Sequence, residues 1–303
     1  MVVERTLAWL GRGAGALSDL TGRVCVVTGA TRGIGRATAE GLAGLGATLV
    51  LVCRRAEDGE SVAEALASAH RIPRPHVVLA DLSSQRAVRG AADDIRRIVP
   101  RVHVLINNAG LIVRERETTV DGFETQFAIN HLAYFLLTNL LLDRLLESAP
   151  ARIVNVASGA HQGGRIDFDD LQSERRYDPV RVYGRTKLMN VLFTYELARR
   201  LTGTGVTANC LHPGVIATKL MADYMNVPLV GGAIARTFGA GTDKGAETIL
   251  YLAASPEVEG VSGRYFVSRK ETRSSPVSYD EALQRRLWEE SARLTSLTPA
   301  RAP

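Results

Sequence analysis

Short apolar runs alternate with amphipathic segments from residue 23 onward. Strand-like runs, rich in β-branched residues, cover 23–30, 47–54, 76–82, 102–110, 151–158 and 205–214. The segments between them have helical character, and the longest are 122–147 and 181–201. Strands that alternate with helices favour a parallel sheet, because each parallel pair needs a crossover connection. The pattern therefore predicts an α/β fold with a doubly wound parallel sheet and helices on both faces.

The same pattern predicts one domain over residues 20–270, since no repeat or low-complexity linker divides that region. We expect residues 1–19 to form a helical extension, either packed on the domain or frayed, with weak membrane-surface contact as the alternative. Charged residues interrupt its apolar stretch, which argues against a signal peptide and a transmembrane anchor. Residues 271–303 have leucines at helical spacing and predict a packed helical tail, in which an interface role is possible.

Composition narrows the class of protein. The 303 residues are 46% hydrophobic and carry a net charge of +5, with a pI near 9.3. The basic residues are scattered in runs no longer than a pair, which disfavours nucleic acid and suits a small anionic ligand. Three widely spaced cysteines predict buried, reduced thiols of a cytoplasmic protein. The six histidines have no metal-binding spacing, so we expect no metal.

A glycine-rich turn links the first strand to the first helix. The stretch TGATRGIG, residues 28–35, spaces Gly29, Gly33 and Gly35 as G-x-x-x-G-x-G. Glycines allow a tight turn and close approach of a pyrophosphate, and the helix amino terminus offers unpaired N–H groups to it. The position between a strand and a helix favours dinucleotide binding over a purely structural turn.

The end of the second strand indicates which dinucleotide binds. An acidic residue there would bind the ribose hydroxyls of NAD, but Cys53 holds the place and Arg54 and Arg55 follow it. Guanidinium groups, including Arg32 of the glycine loop, suit a 2′-phosphate. We therefore expect NADP(H) rather than NAD(H), although these arginines could also be simply solvated. Asp81, at the end of the third strand, is a candidate acceptor for the adenine amino group.

A tyrosine and a lysine one helical turn apart are the candidate reacting groups. Lysine occurs at only four positions in this arginine-rich chain, and Lys187 lies four residues after Tyr183. On a helix these side chains share one face. The ammonium is expected to lower the phenol pKa, so that the phenol exchanges a proton with a carbonyl or alcohol oxygen while hydride moves to or from nicotinamide. Taken alone, the pair could equally be an ordinary surface pair.

Other polar residues support this assignment. Ser158 ends the fifth strand, where its hydroxyl can hold the substrate oxygen beside Tyr183. Asn130 lies in an apolar helical stretch, where it either binds a proton-relaying water next to Lys187 or is a satisfied core amide. Backbone groups after the sixth strand are candidates for covering the nicotinamide carboxamide, at Pro213, Gly214, Val215 and Thr218.

Together these motifs closely resemble the short-chain dehydrogenase/reductase family over about residues 20–270. The matching elements are TGATRGIG at 28–35, Asp81-Leu82, NNAG at 107–110, Asn130, Ser158, Tyr183-x-x-x-Lys187 and Pro213-Gly214. The resemblance implies a single Rossmann-type domain and a catalytic tetrad of Asn130, Ser158, Tyr183 and Lys187. The expected cofactor contacts are Gly29, Thr31, Arg32, Gly33, Ile34, Gly35, Arg54, Arg55, Asp81, Leu82, Asn108, Ala109, Gly110, Tyr183, Lys187, Pro213, Gly214, Val215 and Thr218.

A closer resemblance is to the retinol-dehydrogenase-like branch. It rests on NHLAYFLLT, VASGAHQGGRIDFDDLQ, YGRTKLMNVLF and GRYFVSRKE, and on the long spacing between Ser158 and Tyr183. It implies a small lipophilic aldehyde, ketone or alcohol as substrate, and pairing of segments 122–147 and 181–201 in a homodimer or tetramer. The N-terminus lacks the membrane anchor of many retinol dehydrogenases, and Thr186 stands where many members have Ser. Residues 215–243 are apolar and glycine-containing, which predicts a substrate lid, with plain core or an oligomer contact as the alternative.

Three functions are thus weighed. The first is an NADP(H)-dependent oxidoreductase that interconverts a lipophilic carbonyl and its alcohol with Tyr183 as general acid/base. The alternative is a catalytically idle NADPH sensor or scaffold, whose usual mark, loss of the tyrosine or lysine, is absent. The third, a nucleic-acid binder, is disfavoured by the scattered charge.

Overall fold

Eight strands form one sheet in the computed structural model, which describes residues 17–214 and 232–297, with side chains from residue 241 in the second range. The strands are β1 (Val24–Thr28), β2 (Thr48–Cys53), β3 (His76–Leu79), β4 (Val104–Asn107), β5 (Ala151–Val156), β6 (Val206–His212), β7 (Tyr265–Val267) and β8 (Lys270–Glu271). Their order is β3-β2-β1-β4-β5-β6-β7-β8, and every pair is parallel except β7 with β8. The predicted doubly wound sheet is confirmed, and β7 and β8 extend the six predicted strands.

Helices connect the strands and cover the sheet. They are α1 (Gly33–Gly44), α2 (Ala56–His70), α3 (Gln85–Ile98), α4 (Thr125–Phe127), α5 (Ala133–Leu140), α6 (Leu142–Glu147), α7 (Pro179–Arg200), α8 (Gly232–Ala254) and α9 (Glu281–Leu294). The inward residues form two large clusters on opposite faces of the sheet, because consecutive side chains of a buried strand point to opposite faces. Val26 belongs to one cluster and Cys25 and Val27 to the other.

The segment predicted as one helix over 122–147 is divided in the structure. Glu124 precedes the first turn, and its carboxylate accepts hydrogen bonds from the backbone N–H of Gln126 at 2.7 Å and of Phe127 at 2.8 Å. A π-helical turn, Ala128–Leu132, then separates α4 from α5, and Leu141 separates α5 from α6. The predicted segment is thus helical over most of its length, but the π-turn within it was not predicted, since apolar periodicity does not distinguish an α-turn from a π-turn.

The tail beyond residue 270 packs into the same core as the sheet. In α9, the ring of Trp288 lies 4.9 Å from that of Phe135 and 5.7 Å from that of Phe193. The guanidinium of Arg200 lies over the same indole at 4.3 Å, where it adds a cation–π contact. The α9 helix thus covers part of α5 and α7. These two helices lie in the segments predicted to pair with a second subunit, and that pairing stays a prediction.

The cysteines are buried as predicted, and the described helices were searched for a membrane span. Cys25, Cys53 and Cys210 are buried free thiols, as predicted. Within residues 17–214 and 232–297, no helix combines the length and hydrophobicity required to cross a membrane. The predicted extension at 1–19 lies almost wholly outside the described residues, as does the lid at 215–243 up to residue 231.

Candidate active site

The predicted site segments follow consecutive parallel strands and therefore meet at one edge of the sheet. The glycine loop follows β1, Arg54 and Arg55 follow β2, and Asp81 and Leu82 come soon after β3. Beyond these strands, residues 108–110 follow β4, Ser158 comes soon after β5, and Pro213 and Gly214 follow β6. The carboxyl ends of parallel strands share one edge, which is where ligands bind in open α/β sheets. Val215 and Thr218 lie outside the described residues.

The glycine loop has a backbone that only glycine adopts readily. Gly29 has φ of +66° and Gly33 has φ of +56°, both in the left-handed region. A Cβ at Gly35 would lie 2.2 Å from the carbonyl oxygen of Gly29, so no side chain fits there. Helix α1 begins at Gly33 without a side-chain cap or an acidic residue in its first turn. Its first N–H groups and positive dipole end are thus available to an anion.

Asn108 fastens the glycine loop to the end of β4. Its side-chain Nδ2 donates to the backbone oxygen of Thr28 at 2.9 Å. In return, the hydroxyl of Thr28 accepts from the backbone N–H of Asn108 at 2.9 Å and of Ala109 at 3.1 Å. Thr28 was not among the predicted site residues; its position as the last residue of β1, directly before Gly29, is the sequence signal that could have identified it.

The two arginines after β2 have different surroundings. Arg55 forms ion pairs with Glu57 at 3.3 Å and Asp58 at 3.6 Å in the first turn of α2. Arg54 is exposed, and none of the described residues forms an ion pair with it. Cys53 is buried at the point where an acidic residue would contact an adenosine ribose. Of the two arginines after β2, Arg54 is therefore the one whose positive charge is not already neutralised by a described carboxylate.

The remaining strand ends present a carboxylate and a glycine turn. Asp81 is exposed, and its Oδ1 accepts from the backbone N–H of Ser83 at 2.9 Å. The second carboxylate oxygen of Asp81 has no hydrogen bond to a described residue. Leu82, next in the chain, packs partly buried against the core. After β6, Gly214 has φ of +95°, a backbone conformation that glycine adopts without strain.

Tyr183 and Lys187 lie on α7 and face the end of β5. The ammonium nitrogen of Lys187 is 5.6 Å from the centroid of the Tyr183 ring and donates to the backbone oxygen of Val156 at 3.0 Å. The side chain of Ser158 lies near enough to the Tyr183 phenol to lower its pKa. The Ser158 oxygen also accepts from the backbone N–H of Ala160 at 3.2 Å, so its own proton remains available for donation. The structure thus brings together three of the four predicted catalytic residues.

The fourth, Asn130, lies in the π-helical turn and is fully buried. Its oxygen accepts from the backbone N–H of Leu111 at 2.8 Å, and its Nδ2 donates to the Leu111 oxygen at 2.9 Å and to the Thr186 hydroxyl at 3.2 Å. A Cβ built at Gly110 would be 3.3 Å from the Asn130 oxygen and 3.4 Å from the Lys187 nitrogen. Asn130 and Lys187 therefore face the same point, and the glycine keeps that space open.

Burial dominates the titration of the reacting pair. It raises the pKa of Tyr183 above the usual value, and the nearby Ser158 side chain offsets only part of the rise. It lowers the pKa of Lys187 to about 7. Burial thus acts against the lowering of the phenol pKa that was expected from the Lys187 ammonium, and that effect of the ammonium stays a prediction.

Two glycines that were not among the predicted site residues allow the turn carrying Ser158 to approach α7 closely. A Cβ at Gly184, directly after Tyr183, would lie 2.9 Å from the backbone oxygen of Ala160. A Cβ at Gly164 would lie 2.6 Å from the backbone oxygen of Gly184. Two glycines therefore allow the backbone around Ser158 to pack directly on the helix that carries Tyr183. A glycine inside a helix, next to the candidate tyrosine, was the available signal.

Comparisons with known proteins agree with this arrangement. The model of the short chain dehydrogenase family matches residues 23–226. Human retinol dehydrogenase 14 is 45% identical over 293 residues, which cover 91% of this chain and 87% of that protein. A crystal structure of an uncharacterized protein from Mycobacterium paratuberculosis is 35% identical, with a TM-score of 0.77 over 92% of this chain and 96% of that one. The NADP complex of Pseudomonas aeruginosa RhlG is 26% identical, with a TM-score of 0.65 over 82% of this chain and 95% of that one.

The chain belongs to the short-chain dehydrogenase family. Within it, the predicted similarity to the retinol dehydrogenases is confirmed by the identity and coverage of the human relative. The protein is therefore an NAD(P)-dependent oxidoreductase of alcohols and carbonyl compounds.

Proposed function

We propose that this oxidoreductase uses NADP(H) to interconvert a lipophilic aldehyde or ketone and its alcohol, with Tyr183 as the general acid/base. The observation that carries the proposal is the convergence of three side chains beside the end of β5. Ser158 lies near enough to the Tyr183 phenol to lower its pKa, and Lys187 lies 5.6 Å from the centre of the phenol ring and donates to the Val156 carbonyl. A hydroxyl donor, a phenol and an amine at one point are the groups needed to move a proton at a carbonyl oxygen.

The glycine loop fits the pyrophosphate of a nicotinamide cofactor. The uncapped amino terminus of α1 offers N–H donors, and the absence of a side chain at Gly35 allows the loop to lie close against β4. A bound cofactor would supply or accept the hydride. The residues after β4 and β6, namely Asn108, Ala109, Gly110, Pro213 and Gly214, lie at the same edge and would hold its nicotinamide end.

Arg54 supports the preference for NADP(H). It is exposed beside the glycine loop, and its guanidinium has no ion-pair partner among the described residues, so it remains available to a 2′-phosphate. Arg32, at the amino end of α1, is also exposed. Arg55 contributes less, since Glu57 and Asp58 already occupy it. No carboxylate stands at the end of β2, where it would repel that phosphate.

The proton path runs through the residues of α7. In the reducing direction, Ser158 would donate a hydrogen bond to the substrate oxygen and Tyr183 would transfer its proton there. Lys187, with a pKa lowered by burial to about 7, exchanges protons readily near neutral pH and would restore the proton of the phenol. Asn130 and Lys187 both lie close to Gly110, and Asn130 would hold a water that relays protons to Lys187.

Similarity to the retinol dehydrogenases supports an apolar, polyene-like or long-chain substrate. The predicted lid falls mostly outside the described residues, so the support rests on the relatives and on the site chemistry. A cytoplasmic location and a homodimer or tetramer remain predictions of the same proposal.

The test is NADPH consumption with a panel of carbonyl compounds, namely all-trans-retinal, nonanal, an aromatic ketone and a quinone, with NADH run in parallel. The proposal requires at least one compound to be reduced with NADPH and much more slowly with NADH. Reduction with NADH alone would overturn the cofactor preference. Tight NADPH binding without reduction of any compound would favour the idle sensor.

A further inference from the structure

A buried histidine that the proposed chemistry does not use is bonded to the turn carrying Ser158. His161 is fully buried, and its Nδ1 lies 2.6 Å from the backbone oxygen of Ser158. Its Nε2 lies 3.1 Å from the backbone nitrogen of Ser275. A backbone N–H can only donate, so Nε2 is the acceptor and Nδ1 carries the proton that is donated to Ser158. Both ring nitrogens of one neutral tautomer are thus satisfied.

The surroundings of His161 hold the ring in place. Its plane packs against the ring of Tyr265 in β7, with centroids 4.7 Å apart. The other titratable neighbour is His212, whose Nε2 would lie 3.4 Å from a Cβ built at Gly159. Burial lowers the pKa of His161, which keeps the ring neutral near neutral pH, in agreement with the tautomer that the hydrogen bonds require.

The segment that contacts His161, residues 274–279, is itself anchored to α7. The Tyr195 hydroxyl lies 2.7 Å from the Ser274 hydroxyl, which lies 2.6 Å from that of Ser278. The Ser278 hydroxyl donates to the backbone oxygen of Ser275 at 2.6 Å. The rings of Tyr195 and Tyr279 stack at 5.5 Å. These bonds fix the position of the Ser275 backbone relative to the helix that carries Tyr183 and Lys187.

A continuous series of contacts therefore connects Tyr183 with Ser158, the two side chains proposed to bind the substrate oxygen. It starts at Tyr183 on α7, passes through Tyr195 and the 274–279 segment to His161, and ends at Ser158. We infer that His161 is a positioning residue that fixes Ser158 relative to Tyr183, so that residues 274–279 support catalysis from outside the recognised motifs. The inference rests on the proposed roles of Ser158 and Tyr183.

Two substitutions separate positioning from simple packing. His161→Asn keeps an N–H donor near the place of Nδ1, whereas His161→Leu keeps none. We expect His161→Leu to lower kcat by about tenfold to a hundredfold, with NADPH affinity nearly unchanged, because displacement of a reacting group by about 1 Å has that cost. His161→Asn should retain more of kcat than His161→Leu. The matched control is His103→Leu, since His103 is also buried and accepts from the Val24 backbone N–H at 2.9 Å, but at the opposite edge of the sheet; it should lower stability without lowering kcat.

A double-mutant cycle tests the path itself. Tyr195→Phe removes the hydroxyl that holds Ser274, and it should lower kcat in the wild-type background but have little further effect beside His161→Leu. In parallel, hydrogen–deuterium exchange of the backbone over 158–164, measured with NADPH bound, should be fastest in His161→Leu and intermediate in His161→Asn. This second readout does not depend on which carbonyl is the substrate.

The outcomes distinguish this inference from the proposed function. If Ser158→Ala abolishes reduction but His161→Leu stays within about twofold of wild type while folded, the positioning role is wrong and the proposed function stands. Equal losses in His161→Asn and His161→Leu, or equal exchange of the turn in all variants, also overturn the positioning role. Full activity in Ser158→Ala would overturn the proposed function itself.

Discussion

The nucleotide half of the molecule, residues 24–110, and the catalytic half, residues 111–294, build their sites in different ways. In the nucleotide half the groups proposed to bind are mainly backbone N–H groups of one loop, shaped by Gly29, Gly33 and Gly35. In the catalytic half they are side chains from a π-turn, a strand end and a helix, held by contacts that reach residue 288. A site made of backbone is encoded locally, whereas a site made of side chains depends on tertiary packing.

The largest expected effect lies in the catalytic half. Tyr183→Phe removes the proposed proton donor and should lower kcat by about 10²–10⁴-fold, with little change in NADPH affinity. The matched control is Tyr134→Phe, because both rings lie 5.6 Å from the Lys187 nitrogen but the Tyr134 hydroxyl is buried without a hydrogen-bond partner. The control should keep kcat within about threefold of wild type. Comparable losses in both variants would mean that Tyr183 acts through packing.

In the nucleotide half, the most damaging small change should be Gly35→Ala. Its Cβ would lie 2.2 Å from the Gly29 oxygen and 2.4 Å from Nδ2 of Asn108, which follows β4, so the loop could not keep its place against that strand end. We expect NADPH affinity to fall by about a hundredfold, equivalent to about 3 kcal/mol of overpacking, as measured by quenching of protein fluorescence. Gly90→Ala is the control, since Gly90 lies in α3 with no atom within 4 Å of the added carbon. An unchanged affinity in Gly35→Ala would contradict the proposed cofactor position.

A smaller effect should separate the two arginines after β2. Arg54→Ala should raise the KM for NADPH by about tenfold and leave that for NADH unchanged, since an exposed charge-assisted contact is worth about 1.5 kcal/mol. Arg55→Ala should change the ratio of the two KM values much less, because its guanidinium is engaged by Glu57 and Asp58. A larger change in the ratio of the two KM values in Arg55→Ala than in Arg54→Ala would show that Arg55 binds the phosphate.

The last prediction concerns stability rather than activity, and its pH dependence comes from Lys187, whose pKa burial lowers from 10.5 to about 7. Below that folded value the amine is charged in both states, and the folded state bears the full burial cost. As pH rises from there toward the unfolded value, the unfolded chain binds more protons, so the stability contributed by this group increases. Lys187→Met should therefore raise Tm relative to wild type most at about pH 6, and the difference should shrink towards about pH 10. A Tm difference between Lys187→Met and wild type that grows with pH would contradict this prediction.

The fold and the nucleotide half were largely predictable because their signals are local. Short apolar runs rich in β-branched residues identified β1 to β6, and the glycine spacing located the loop before α1. The strands β7 and β8 have three and two residues, too few for any periodicity, and therefore escaped the pattern. The apolar pattern did not predict the π-turn at Asn130 for another reason, since one extra residue per turn leaves the apolar composition unchanged.

In the catalytic half, the sequence proposes the reacting residues but does not predict their electrostatics or the contacts that support them. Tyr183, Lys187 and Ser158 are carried by motifs, yet the direction of the Tyr183 pKa shift depends on burial, which a motif does not report. His161 and Ser275 are separated by 114 positions, and only the parallel arrangement of β5, β6 and β7 brings them within hydrogen-bonding distance. Contacts of this kind have no signature in a single sequence.

The central claim is that one cofactor, bound by the nucleotide half, exchanges hydride with a carbonyl held by the catalytic half. The most direct measurement uses NADPH labelled with deuterium on either face of nicotinamide C4, together with the carbonyl compound that the panel shows to be reduced fastest. Mass spectrometry of the alcohol should show one deuterium from one labelled form and none from the other. An alcohol without deuterium from either form, or binding of NADPH without reduction of any compound, would contradict the account.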